Sequence, residues 1–256
     1  LVCSLVCLVT IADNPQPGEG HKPFRILTLC FAAACYLGVP MLIGSHVQAE
    51  KKEGTLELVS ITTLTGARIV WGELLVAVGL LILLSSAVAP FMLFCYLLGG
   101  TDVRMTATVV ALVLLTSILL CLIAIVVAVW SKRVLLSNGL PLALGVLAAS
   151  IAVGAIEIAD KIWDSPDVAQ IFASMLAYYV SLAVVFFAIA TATLTFESAN
   201  RAAPPRLAIA AHLAICSGVG FVTEQKGWLA AWTIYSFLWL FLLAAGVMGE
   251  DDTLTR

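Results

Sequence analysis

The residues best suited to chemistry in this 256-residue chain are three histidines and seven cysteines, and their spacing is informative mostly by what it lacks. Cys3, Cys7, Cys30, Cys35, Cys95, Cys121 and Cys216 all lie in apolar segments without a CxxC pair. They read as small hydrophobes, with neither a disulfide framework nor a metal site. His21, His46 and His212 are far apart, and only His212 is expected well inside a span. An ionisable side chain there is a possible intramembrane polar site. The competing reading is a neutral imidazole bonded to a neighbouring helix. Zinc proteolysis would ask for HExxH, which is absent. Ile215-Cys216-Ser217-Gly218 carries half of a GxSG serine motif, and the GVMGED string from Gly246 fails the GxGD pattern of aspartyl chemistry. No GxxxxGK[ST] occurs, so the chain has no phosphate-cradling loop of its own.

Charge is as unevenly placed as the nucleophiles. Of thirteen Lys and Arg and sixteen Asp and Glu, seven fall between Ala49 and Glu73: Glu50, Lys51, Lys52, Glu53, Glu57, Arg68 and Glu73. Long apolar runs flank this interval, and charge is costly in hydrocarbon, so it belongs at the membrane surface. Glu53 and Glu57 would repel at i,i+4 on a continuous helix. Gly54 between them is a poor helix-interior residue and Thr55 is a good N-cap. A helix is therefore expected to end near Gly54 and a second to start at Thr55, with Glu57 in its first turn. Leu56, Leu58, Val59, Ile61 and Leu64 make that second piece apolar enough to lie along the membrane.

The elements that position this elbow are membrane spans. The chain is 62% hydrophobic and 11% charged, with a mean hydropathy of +1.08, and its uncharged runs exceed the ~20 residues that cross hydrocarbon. These values describe an all-α polytopic helical membrane protein with a single membrane domain, 1–256. Leu1–Ala12 is too short to cross a bilayer and reads as the end of a partial first span. Seven complete spans are expected at about Ile26–His46, Leu74–Leu98, Met105–Trp130, Val134–Ile156, Val168–Thr195, Leu207–Thr223 and Gly227–Gly249. Pro40 is the expected kink point of the first of these. Glu157 to Asp167 forms an acidic outer loop, and small residues from Gly139 to Gly154 offer a surface for helix association.

The elbow resembles a known family. E-K-K-E-G-T-L-E-L at Glu50–Leu58, followed by a Thr-containing turn and I-V-W-G-E-L-L at Ile69–Leu75, is similar to the permease subunits of ABC-2 type transporters. The usual pattern there is approximately E-R-E-R-G-T-L-E-L-L, then T-P-L, then I-V-x-G-K-L. Thr63 departs from it where Pro is usual, and Glu73 where Lys is usual. The likeness covers about a tenth of the chain. Trp130-Ser131-Lys132-Arg133, with the Ser/Asn/Gly/Pro-rich run from Ser137 to Pro141, is similar to the short basic turn after the family's fourth span. The pair of spans in 207–249 would be additional to the family's six-span core, and the C-terminal GEDDTLTR reads as if more chain should follow.

The resemblance implies a permease subunit of an ATP-driven exporter in the plasma or inner membrane, without an ATPase site. Residues 49–73 would be its cytoplasmic coupling segment, with Glu50, Lys51, Lys52, Glu53, Gly54, Thr55, Leu56 and Glu57 at the contact. The implied partners are a cytoplasmic ABC ATPase, which would bind the ATP and Mg, a second permease subunit, and membrane lipid, but no nucleic acid. No cofactor is implied for this chain. A different class stays open: an ATP-independent carrier or intramembrane enzyme. The near absence of charge within the spans weighs against ion coupling.

Orientation is read from the loops. The elbow's face holds Lys51, Lys52, Arg68, Lys132, Arg133, Arg201, Arg206 and Arg256; the other holds Lys22, Arg25, Arg104, Lys161 and Lys226. The positive-inside rule puts the elbow in the cytoplasm. A single cysteine introduced at Lys52 in a cysteine-free background is expected to resist an impermeant thiol reagent in intact cells. It should react once the membrane is opened, and labelling from outside would reverse the orientation.

Overall fold

A computed structural model describes residues 21–53, 65–97, 102–130, 168–194 and 203–223, and among these the chain is helical throughout apart from helix ends. The elements are α1 (His21–Ala33), a π-helical turn (Ala34–Gly38), α2 (Val39–Lys52), α3 (Gly66–Leu97), α4 (Val103–Trp130), α5 (Val168–Thr193) and α6 (Ala203–Thr223). Among the described residues four helices are long and apolar enough to cross a membrane: the continuous rod Pro23–Lys52, then Gly66–Leu97, Val103–Val129 and Gln170–Thr193. They correspond to four of the seven spans expected from sequence. A fifth expected span appears as α6, a helix of 21 residues that is not among those four. The spans expected at 134–156 and 227–249, the partial span at 1–12 and the acidic loop lie outside the described residues.

The first rod shows how the sequence handles a proline. Buried positions recur every four residues: Phe24, Thr28, Ala32, Tyr36, Pro40, Gly44 and Gln48, each with a buried neighbour one residue earlier or later for most of the row. Such i±4n rows are the ridges by which helices pack. Pro40 stands in that row, without an N–H and with a ring that crowds the preceding turn. The helix answers by widening just upstream: Val39 N–H bonds to Ala34 O, an i→i−5 bond. Pro40, next in that register, has no hydrogen to give to Cys35 O. Ser117 of α4 supplies it, with Oγ donating to the Cys35 carbonyl at 2.7 Å in a fully buried contact. The expected kink point is thus resolved as a π turn before the proline, capped by another helix.

The central element is α4. From Leu119 to Val126 every side chain is buried, so this half of the helix is covered on all sides. On one side it meets α2 at Gly44, where a Cβ would stand 3.6 Å from the Ala124 Cβ. Small residues allow that close approach where lipid is as apolar as the core. On another side it meets α5, where Thr116 Oγ1 lies 2.8 Å from Leu112 O and 3.1 Å from the Tyr179 hydroxyl. By contrast α3 and α5 leave large apolar side chains outward, among them Leu75, Ile82, Leu83, Leu93 and Val184. Exposed apolar surface is the ordinary lipid-facing state of a membrane span. α3 also passes through Pro90 without ending.

Removing the Ser117 hydroxyl should leave the Cys35 carbonyl buried without a donor, a loss of about 1–3 kcal/mol. Ser117→Ala is therefore expected to lower the unfolding temperature of the purified, detergent-solubilised protein. Pro40→Ala restores a backbone N–H beside that carbonyl, so the loss from Ser117→Ala should shrink in a Pro40→Ala background. Equal losses in both backgrounds would show the two positions to be uncoupled.

Candidate functional site at the elbow end of the bundle

Four helix termini meet at one end of the bundle. α2 finishes at Lys52, and Glu53 closes it with its N–H bonded to Ala49 O. Lys51 and Lys52 fall in the last turn, where cations oppose the negative end of the helix dipole. The Lys51 ammonium reaches across to donate to the Val129 carbonyl, in the last turn of α4. One side chain therefore serves the C-terminal ends of two helices. α3 begins at Gly66 beside the end of α5. A Cβ on Gly66 would come within 3.0 Å of Thr191 O and 3.2 Å of Leu194 Cβ, so only glycine fits without displacing the α5 backbone. One turn further on, Trp71 packs edge-on against Phe187 with ring centroids 5.9 Å apart.

The described part of the expected coupling segment is more structured than a free elbow. Lys51, Lys52 and Glu53 are exposed, as a docking surface requires. Glu50, by contrast, is half-buried, one turn beyond His46 on α2, with its Oε1 3.8 Å from His46 Nδ1. The helix end near Gly54 agrees with the structure, because α2 ends at Lys52 and Glu53 is a turn residue. Gly54, Thr55, Leu56 and Glu57 lie outside the described residues, as does the helix start expected at Thr55. On the far side the boundary moves. The span expected from Leu74 begins at Gly66, so Arg68 and Glu73 occupy the first turns of α3 rather than a loop. Helix geometry explains the difference: a 32-residue helix is about 48 Å long, more than a hydrocarbon core needs, so it has length to spare for polar first turns.

That shift creates a contact that sequence reading did not contain. Glu73, only 13% exposed, faces back to α2 and places Oε1 3.3 Å from His46 Nδ1. His46 is itself exposed. The three side chains of His46, Glu50 and Glu73 form a cluster whose ligand atoms lie within 4.8 Å of one another. The i,i+4 spacing of His46 and Glu50 was the visible half of the signal. The other half needed the pairing of α2 with α3.

The second candidate, His212, sits mid-way along α6 and is buried. Its Nδ1 is 2.8 Å from Ser181 Oγ on α5, and the ring lies 5.6 Å from that of Tyr178. Cys216 Sγ, one turn on, is 3.7 Å from Nε2. The Ser181 hydroxyl is also within 2.9 Å of Tyr178 O, so a hydroxyl that donates to that carbonyl can accept from an Nδ1–H. This is an imidazole bonded across two helices. Ser217, the serine of the half-motif, is exposed and bonds back to Leu213 O and Ala214 O. Five positions from His212 on a helix, it points about 140° away from the imidazole. The histidine and that serine are not brought together.

Comparison with protein-family models, with curated proteins and with solved structures gives no match to this chain. Among the described residues the chain is helical, and four long apolar helices there fit the class of integral membrane proteins.

The Gly66 contact yields a prediction. Gly66→Val would drive branched carbon into the end of α5 and is expected to destabilise by about 1–3 kcal/mol, read as a lower midpoint of thermal unfolding. Gly72→Ala, where a Cβ meets nothing within 4 Å, should leave the midpoint unchanged or slightly raised. Equal effects at both positions would remove the argument from close approach.

Proposed function

We propose that this chain is the membrane-spanning permease subunit of an ABC-2 type ATP-driven exporter. A separate cytoplasmic ATPase would hydrolyse ATP, and the 49–73 segment would pass its movement to the spans. The observation that carries the reading is the E-K-K-E-G-T-L-E-L string at the end of α2, placed between two long apolar helices. The geometry around it supports a mechanical role. Lys51 ties the segment's entry to α4, and Gly66 seats its exit against α5. A push on the segment would therefore reach four helices rather than one. The charged entry, Lys51 to Glu53, is exposed and free of burial constraints, as a contact with a soluble partner asks. ATP and Mg belong to that partner in this reading. A second permease subunit would cover part of the apolar surface that α3 and α5 leave outward, and lipid the rest.

The alternative, an ATP-independent carrier or intramembrane enzyme, would place its chemistry at His212. The buried contact with Ser181 and Cys216 is the one observation in its favour.

Exposed salt bridges contribute only ~0–1 kcal/mol, so charge changes at the elbow should leave insertion and folding intact. In a desolvated contact with the ATPase, reversed charges would meet like charge at a cost of several kcal/mol. Glu53→Lys combined with Glu57→Lys is expected to keep wild-type protein levels while lowering ATPase co-purification at least tenfold. Gly54→Leu should have the same effect by opposing the bend. The measurement is recovery of a P-loop ATPase with the tagged chain from native membranes, normalised to folded permease. Wild-type recovery in both variants, or no such ATPase with the wild-type chain, would overturn the proposal.

A further inference from the structure

A furrow runs between α3 and α4 in the half of the bundle away from the elbow, with a volume of about 590 Å³. Sites for small molecules have that size. Ile82, Ala89 and Leu93 line its α3 wall, Ala107 and Ala111 its α4 wall, and the buried ring of Phe31 reaches it from α1. The three alanines are exposed, and their small side chains leave the furrow hollow. Hydroxyls on its walls are committed to their own helices. Ser85 donates to Ile82 O, Ser86 to Leu83 O and Thr106 to Asp102 O. Along its length the furrow therefore presents an apolar surface. On α4 the lining runs from Val103 to Leu114, roughly 16 Å at 1.5 Å per residue, which is about half of a ~30 Å hydrocarbon core. It is one leaflet deep.

The mouth of the furrow is different. Asp102 and Arg104 stand at the start of α4, one on each side of the lining residue Val103. At about 100° per residue the helix sends them to opposite flanks of the furrow, Arg104 within about 20° of the Ala111 row. Both are exposed, and among the described residues neither side chain holds an ion pair. Tyr96, the last lining residue of α3, is partly exposed at the same end, where an aromatic ring suits the boundary between lipid and water. A cation and an anion over an apolar furrow one leaflet deep match a ligand that carries the opposite pair above a hydrocarbon tail. Phosphate accepts charge-assisted, bidentate bonds from a guanidinium. A primary ammonium has three N–H donors for a carboxylate.

We propose that the furrow between α3 and α4 binds one phospholipid with an ethanolamine headgroup, an acyl chain along Ala89, Ala107 and Ala111, the phosphate on Arg104 and the ammonium at Asp102. The charge pair sets the choice of headgroup. Choline carries the same charges but has no N–H to give Asp102, and glycerol has no cation at all. The tail would fill surface that the three alanines leave hollow, and the headgroup would hold the lipid in one register. This assignment needs only the folded chain and stands whether or not the transport reading does.

The test uses the full chain, purified and delipidated in detergent, then mixed with palmitoyl-oleoyl-phosphatidylethanolamine. Native mass spectrometry reads the lipid retained per chain. The expected result is saturable retention of one lipid, with phosphatidylcholine and phosphatidylglycerol of the same acyl chains held about tenfold more weakly, as the loss of one charged hydrogen bond predicts. Arg104→Gln should weaken retention of phosphatidylethanolamine about tenfold, and Arg104→Lys should recover part of it. Asp102→Asn should lower phosphatidylethanolamine to the level of phosphatidylcholine and leave phosphatidylcholine unchanged. Ala111→Trp, at an exposed position, should fill the furrow and remove retention of all three lipids. Its unfolding midpoint in lipid-free detergent should stay at the wild-type value, which guards against a variant that fails only by misfolding. Arg206→Gln, an exposed cation on α6, should leave retention unchanged. Absence of saturable retention, equal retention of the choline lipid by the wild-type chain, or unchanged retention in both Arg104→Gln and Ala111→Trp would overturn the proposal. A lipid-free dimer that Ala111→Trp dissociates would assign the furrow to a second copy of the chain and overturn it as well.

Discussion

The bundle depends on a hydrogen bond made necessary by a missing one. Pro40 cannot donate, and in the wider register of the π turn its vacant partner is the Cys35 carbonyl, deep between α1–α2 and α4. In hydrocarbon there is no water to satisfy that oxygen, and an unsatisfied backbone group there costs several kcal/mol. Ser117 satisfies it from the neighbouring helix. The bond does more than repair a ladder. It fixes the rotation and height of α4 against the first rod, and Gly44 then meets Ala124 at contact distance. With hydrophobic force absent between helices in lipid, contacts of this sort set the register.

Once α4 is fixed, the end of the bundle follows. The same register that puts Ser117 beside Cys35 brings Val129 to the end of α2, where Lys51 finds its carbonyl. α5 is held to α4 through Thr116 and Tyr179, and its far end receives Gly66. Both ends of the segment between α2 and α3 are thus attached to elements other than the two helices it joins. A device that converts movement of a polar segment into rearrangement of spans needs such attachments. In the permease reading we propose, it is the sequence string, more than the packing, that carries the link to an ATPase.

The two histidine environments differ by the same logic. His212 has a hydroxyl and a thiol as neighbours in a buried place, a setting that fits a structural bond between helices. His46 is exposed and faces two carboxylates, Glu50 and Glu73, at the edge of the bundle. Sequence position drew attention to His212 alone, because a histidine within an apolar run stands out and one beside a charged run does not.

What the sequence determined by itself was set by composition and local chemistry. Apolar runs of about twenty residues or more have no stable place except the membrane, so the spans expected at Ile26–His46, Leu74–Leu98, Met105–Trp130 and Val168–Thr195 were legible as helices. The end of α2 was legible too, because Gly54 and the Glu53/Glu57 repulsion oppose continuation there. The start of α3 was not: Gly66 to Glu73 is polar enough to resemble loop, and only packing of Gly66 and Trp71 on α5 makes it helix. The π turn was half legible, since Pro40 announces a defect but not its form. Its form rests on Ser117, far away in the chain. The His46–Glu73 contact was decided by tertiary structure alone, because the pairing of two helices across an intervening segment leaves no mark in the spacing of either.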